Sequence, residues 1–193
     1  MPHAIYQTPA LILKTKNMRE SNKMVTLFTK KFGVMYASLQ SVREQKSKMR
    51  FHVNLFSLVD VDVIDGRNIW KLVGIHEVSS SLTFSHTPWF GLFDKVSLLL
   101  LRLCQGQEPN DEIWSDIINL HKGYKIFSEE HSLEVIEIIF AARALYFLGY
   151  WEEPLEFMTI KNPYFDQDIQ KLILENKSDI VHQINEGLHS SQL

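Results

Sequence analysis

The chain has 193 residues, 45% of them hydrophobic and 22% charged, with a formal net charge of -3. These are the proportions of an ordinary globular protein, and they exclude a disordered or fibrous chain. A single cysteine, Cys104, permits no internal disulfide and no four-cysteine zinc site, which favours a reducing intracellular setting and a buried, inert thiol.

The opening stretch MPHAIYQTPALILKTK has no positive leader, and charges interrupt it before an apolar segment develops. Residues 92–104 and 135–148 are the most apolar later segments. Both fall short of a bilayer span and carry Lys95, Arg102 and Arg143. The expected location is cytoplasmic. Charge is divided unevenly: through Val78 there are 12 Lys or Arg against 6 acids, and from Ser79 onward 8 against 17. A basic front half joined to an acidic back half points to an anionic partner for the front.

The front half reads as short strands. Residues 10–16 (ALILKTK) alternate, with Leu11, Leu13 and Thr15 on one face and Ile12, Lys14 and Lys16 on the other. A polar turn over 17–22 leads to the β-rich run 23–29, and Lys30 to Gly33 connects it to 34–40 (VMYASLQ). The charge run SVREQKSKMRFH follows, holding Arg43, Lys46, Lys48 and Arg50 against Glu44 alone. Residues 53–63 (VNLFSLVDVDV) form a long β-branched run with Asp60 and Asp62 on one face. Asp65-Gly66 is a hairpin signal, and 68–78 is the returning strand. Five strands in hairpin order within 80 residues describe a small closed barrel.

The period then changes. Residues 89–105 are an apolar helix stopped by Gly106 and Pro109. Asn110 or Asp111 caps a second helix to about Lys122, with Ile113, Ile117 and Leu120 on one stripe. Ser132 opens the longest apolar helix, hydrophobic nearly all round, which belongs at the centre of a bundle and ends at Gly149. Two shorter amphipathic segments, around 169–174 and 180–184, close the chain. The domain division read from these patterns is 1–80 and 81–193, and the fold class is α+β.

Motifs for catalysis are absent. His76-Glu77 lacks the second histidine of a zinc-protease helix, and there is no glycine-rich phosphate loop. Glu129-Glu130 and Glu152-Glu153 read as solvated charge at helix ends rather than acid–base pairs. Asp60 and Asp62 read as a polar outer strand face rather than a magnesium site. The expectation is a protein that is not an enzyme and uses no metal or other cofactor.

Residues 10–16, Glu20-Ser21, ValThrLeuPheThr (25–29), Phe32-Gly33, the basic loop with Ser47 and Arg50, and PheSerLeuValAspValAsp (56–62) resemble, in order and spacing, the opening of the RecO family of bacterial recombination mediators. LeuTyrPheLeuGlyTyr (145–150) resembles that family's helix ending in Leu-Gly-Tyr. The resemblance implies an OB-fold first domain followed by an all-α helical domain. It implies binding of single- and double-stranded DNA, annealing of complementary strands, and action with RecR to load RecA onto DNA coated by single-strand-binding protein. It also implies contact with the C-terminal tail of that protein through the helical domain. Many members carry a four-cysteine zinc module, which Cys104 alone cannot build. The loop SerLeuGlnSerValArg (38–43) also departs from the family's glycine-containing pattern.

On the barrel reading, Lys14, Lys16, Arg19, Lys23, Arg43, Lys46, Lys48 and Arg50 converge on one groove to track phosphates, and Tyr36 faces outward to stack on a base. Phe51 is a second stacking candidate, while Phe28, Phe56 and Trp70 read as barrel core. The alternative expectation is a protein–protein adaptor of the same pathway, in which the basic patch serves an acidic partner surface and DNA binding is slight.

Overall fold

The computed structural model describes residues 4–18, 21–40, 48–66, 69–104, 106–128 and 130–191. Alternating side chains in the front half build five strands: β1 (Ile5–Met18), β2 (Asn22–Thr29), β3 (Gly33–Leu39), β4 (Leu58–Ile64) and β5 (Trp70–Ser79). They close into a barrel in the order β1-β2-β3-β5-β4. Every pairing is antiparallel except that of β3 with β5, where Ala37 lies opposite Trp70 and Ser38 opposite Lys71. The closure between β3 and β5 is short, resting on those two pairs.

The barrel interior is filled by the inward residues of each strand. Ala10 and Ile12, Val25 and Leu27, Met35, Ala37 and Leu39, Val59, Val61 and Val63, and Leu72 with Ile75 form one apolar cluster. Each fully buried aliphatic side chain contributes about 1.5–3 kcal/mol relative to exposure, so this cluster is the main stabilising term of the unit. Phe32 and Trp70 pack against it, and their rings lie 5.2 Å apart. Tyr6 meets Trp70 edge-on at 5.7 Å.

Two strand starts differ by five residues from those read in the sequence. β1 begins at Ile5 rather than residue 10, because residues 5–11 pair with β4 from Ile5↔Ile64 to Leu11↔Leu58. β4 begins at Leu58 rather than residue 53, because Phe56 has φ 62° and breaks the extended run. The turn there is held by Phe56 N–H donating to the Ile12 carbonyl at 2.8 Å. The Phe56 ring is buried as expected, 4.8 Å from Phe90.

Among the described residues six α-helices follow: α1 (Pro88–Leu103), α2 (Asp111–Gly123), α3 (Leu133–Phe147), α4 (Glu156–Thr159), α5 (Gln167–Glu175) and α6 (Lys177–Ser190). An OB-type barrel followed by helices is the α+β class expected. Asn110, rather than Asp111, caps α2 by accepting from the Ile113 N–H at 2.9 Å. Ser132 caps α3 by accepting from the Val135 N–H. α3 packs against α2, α4, α5 and α6, as its all-round apolar sequence requires. Contacts divide the chain into two compact units, residues 1–90 with 104–109, and 91–103 with 110–193. Among the described residues no helix is long and apolar enough to cross a membrane.

Candidate nucleic-acid interface

The geometry of the basic surface is set by one residue. In β1 the pairing to β2 steps from Ile12↔Leu27 directly to Lys14↔Thr26, leaving Leu13 as an extra, bulged residue. Simple alternation puts Lys14 and Lys16 on the face of Ile12, and Ile12 is inside the barrel. The bulge separates them: after it, Lys14 and Lys16 face outward and are exposed, as expected, while Ile12 does not share their face. Leu13 itself is buried.

Cross-strand register then aligns outward residues in two rows. One runs Lys14–Thr26–Tyr36 across β1, β2 and β3; the next runs Lys16–Met24–Ser38 and continues to Lys71 on β5. Tyr36 is 56% exposed in the middle of this strip, so its outward orientation is as expected. Thr26 beside it is buried, and Ser38 Oγ donates to the Trp70 carbonyl at 3.4 Å. Lys23 lies one step along β2, opposite Asn17 and Leu39, and is half-buried rather than projecting with the strip. Phe28 and Val34 continue the outward parity toward the β2–β3 turn, but both are buried, and there the strip ends.

Lys71 was not singled out in the sequence. Its strand was read correctly, but the parallel closure of β3 on β5 places it beside Ser38, and nothing local in NIWKLVG encodes that pairing. Arg19, Arg43 and Lys46 lie outside the described residues. Lys48 and Arg50 belong to a short 3-10 helix, Lys48–Phe51, whose last residue, Phe51, is exposed.

The strand between β1 and β5, β4, carries the other sign on its outer face. Asp60 and Asp62 share the outer face of β4, and Asp62 accepts from Gln7 Nε2 at 2.8 Å. Asp62 also sits where a side chain on Gly74 would go. Among the described residues no group of three or more His, Cys, Asp or Glu side chains could hold a metal ion. Cys104 is half-buried, and burial pushes its thiol up to about 12.

In the helical unit the sequence reading missed a buried ion pair. Arg143 donates to Asp116 with both Nε and Nη2, and its Nη1 donates to the carbonyls of Met158 and Ile160 at 2.6 Å each. Burial pushes the Asp116 carboxyl above its ordinary value, and Arg143 pulls against that rise. Arg143 reads in the sequence as a mere interruption of an apolar helix; an arginine in such a helix is the signal that a buried acid faces it.

A closed five-stranded barrel of OB topology with a basic, aromatic outer strip, followed by a helical unit, defines the class of protein. Residues 1–80 match the family model described as Recombination protein O N terminal. The DNA repair protein RecO of Clostridium novyi (strain NT) is 27% identical over 150 residues, covering 76% of this chain and 57% of that protein. That of Caldanaerobacter subterraneus subsp. tengcongensis is 23% identical over 150 residues, 75% of this chain and 54% of that protein. That of Gloeothece citriformis is 29% identical over 117 residues, 60% of this chain and 41% of that protein. The chain is similar to the RecO family, most specifically over residues 1–80, and it spans about half the length of the curated relatives it matches.

Proposed function

We propose that the chain acts in DNA repair and recombination by binding DNA on the outer strip of its barrel, with Lys14, Lys16 and Lys71 neutralising phosphates and Tyr36 contacting a base. The observation that carries this reading is the bulge at Leu13, which turns two lysines out of the core and into register with an exposed tyrosine. A basic track beside an aromatic platform is what sequence-tolerant DNA binding requires. The repair role is drawn from the relatives named above.

The finer activity proposed is that of a mediator: binding single- and double-stranded DNA, annealing complementary strands, and helping RecR load RecA onto DNA coated by single-strand-binding protein. Annealing needs no catalytic residue. Neutralised phosphates repel each other less, and base pairing supplies the rest. Binding of a labelled oligonucleotide across a salt series tests the electrostatic core of this reading. For about five phosphates on a single strand, log K falls against log salt with a slope near -3.5. A flat response refutes it. An annealing assay with and without single-strand-binding protein then separates a DNA annealer from a protein-only adaptor.

A further inference from the structure

A shallow groove of about 380 Å³ opens on the helical unit between α4 and α5. Its apolar side is made by Phe157 and Ile169, both buried, and by Ile160 and Leu172, which are 38% and 44% exposed. Glu156, Asp166 and Asp168 line it too, and among the described residues no Lys, Arg or His does. Its α4 side is fixed from within the unit, because Arg143 Nη1 donates to the carbonyls of Phe157 and Ile160. We propose that this groove is the docking site for a second copy of the chain, which presents the outer face of its barrel. Tyr36 of one copy covers the apolar side of the groove on the other, and Lys14, Lys16 and Lys71 meet the carboxylates.

The charge of the groove selects a cationic occupant. Among the described residues no ion pair engages Glu156, Asp166 or Asp168. Asp166 accepts from the N–H groups of Asp168 and Ile169 as the cap of α5, which leaves its negative charge in place. Three carboxylates without a counter-charge repel one another, and a positive partner relieves that repulsion. A second groove of the same unit, between α1, α3 and α6, is the contrast. There Lys95 pairs with Glu137, and Arg102 donates to the Leu188 carbonyl at 2.9 Å, so its charges are matched within the chain.

The α4–α5 groove repels nucleic acid and anionic lipid. Among the described residues its carboxylates also form no group that could hold a metal ion. The cations must therefore arrive on separate side chains, with an apolar group between them.

The chain itself carries a surface of that description. Through Val78 it holds 12 Lys or Arg against 6 acids, and from Ser79 onward 8 against 17, so one half of a copy attracts the other half of the next. On the barrel, Tyr36 is 56% exposed, with Lys14 and Lys16 on β1 to one side and Lys71 on β5 to the other. The contact joins two unlike surfaces, so each associated pair keeps one groove and one barrel face unused, and further copies add head to tail. Resting on the DNA-binding reading above, the same contact makes DNA and the second copy alternatives for one set of lysines.

Sedimentation velocity of the full chain tests this. Wild type is expected to gain mass with concentration at about 0.01 M salt, where charges act over roughly 30 Å, and to be monomeric at about 1 M, where they act over roughly 3 Å. Glu156→Gln/Asp168→Asn removes two groove charges and leaves the Asp166 cap intact, while Lys14→Gln/Lys16→Gln removes two barrel charges. Each variant alone is expected to stay monomeric at low salt. Mixed in equal amounts, they are expected to form a species of twice the 22.5 kDa chain mass and nothing larger, because each supplies the surface the other lacks. A wild type that stays monomeric at low salt overturns the proposal. So does association that survives either variant, which would place the contact elsewhere, or a mixture that behaves as its separate components. An oligothymidine of about 16 nucleotides is then added to associated wild type. Release of the copies supports the competition, and binding without release overturns it. If the oligothymidine does not bind even at low salt, the DNA-binding reading has failed, and with it only the competition.

Discussion

Arg143 and Asp116 form a two-pronged ion pair inside the helical unit: Nε reaches Oδ2 at 2.7 Å and Nη2 reaches Oδ1 at 2.9 Å, with both side chains almost wholly buried. Nη1 ties the same guanidinium to the carbonyls of Phe157, Met158 and Ile160, and its carbon lies 4.9 Å from the centre of the Phe147 ring. One side chain thus joins α2, α3 and the segment around α4.

Breaking that pair from one side is expected to be costly. Arg143→Met leaves the Asp116 carboxyl buried without its cation and three carbonyls without their donor. The expected loss is about 3–5 kcal/mol in urea denaturation, with Asp116→Asn less severe because the amide still accepts from Arg143. The double variant Asp116→Leu/Arg143→Met is expected to recover much of the loss, since it removes both charges together. If Arg143→Met costs under 1 kcal/mol, the pair is not the fastening described.

Gly33 gives a second stability prediction. Its φ is +61°, and a Cβ there would run into the backbone of Glu108. The turn it ends is fixed by Thr29 Oγ1, which donates to the Gly33 carbonyl at 3.0 Å and accepts from the Phe32 N–H at 3.0 Å. Gly33→Ala is therefore expected to cost about 1–3 kcal/mol. Gly149→Ala has a similar φ of +80° with open space around it, so it pays strain without collision and is expected to cost less. Thermal melts of the two variants, compared side by side, check the ordering.

The strand content of the barrel was legible because alternation survives wherever one face is buried: Val59, Val61 and Val63 against Asp60 and Asp62 is a direct record of in and out. The helical half was legible from its change of period and from caps such as Ser132. What the alternation could not show was the interruption at Leu13. A bulge is a two-against-one pairing with the neighbouring strand, so it belongs to the register and not to the local run of residues. Lys71 was hidden for the same reason, because β3 and β5 pair across 30 intervening residues from Leu39 to Trp70. Asp116 carries no local sign of its role, which comes from Arg143 of α3 lying against it. In each case the missing information was which distant element lies alongside.

Cys104 offers a prediction with pH. Burial holds its thiol up to about 12, above the ordinary 9.0, so the folded chain keeps a proton that the unfolded chain loses in that interval. The folded form therefore binds more protons between pH 9 and 12. The stability contributed by this group is full below 9 and is lost as pH rises toward 12. The thiol should also react slowly: alkylation by iodoacetamide at pH 8 is expected to be far slower for the native chain than for the chain in urea. The native rate should keep rising with pH past 9, where the unfolded rate levels off. Equal rates in the two states would show an ordinary, accessible thiol.

The two lysines released by the bulge carry the last prediction. Lys14 and Lys16 are outward neighbours on β1, whereas Lys30 and Lys31 are also exposed but sit in the β2–β3 turn, beyond the buried Phe28 and Val34. A general attraction of DNA to positive charge would weigh the two pairs alike. A site on the strip weighs them differently. Lys14→Gln/Lys16→Gln is expected to make the slope of log K against log salt for a single strand less negative by about 1.4, two contacts' worth. Lys30→Gln/Lys31→Gln removes the same net charge and is expected to leave that slope nearly unchanged. The comparison is protected against trivial unfolding, because all four side chains are exposed and their replacement by glutamine disturbs no core contact. Equal effects from the two pairs would mean that DNA is held by overall charge and not by the face that Leu13 creates.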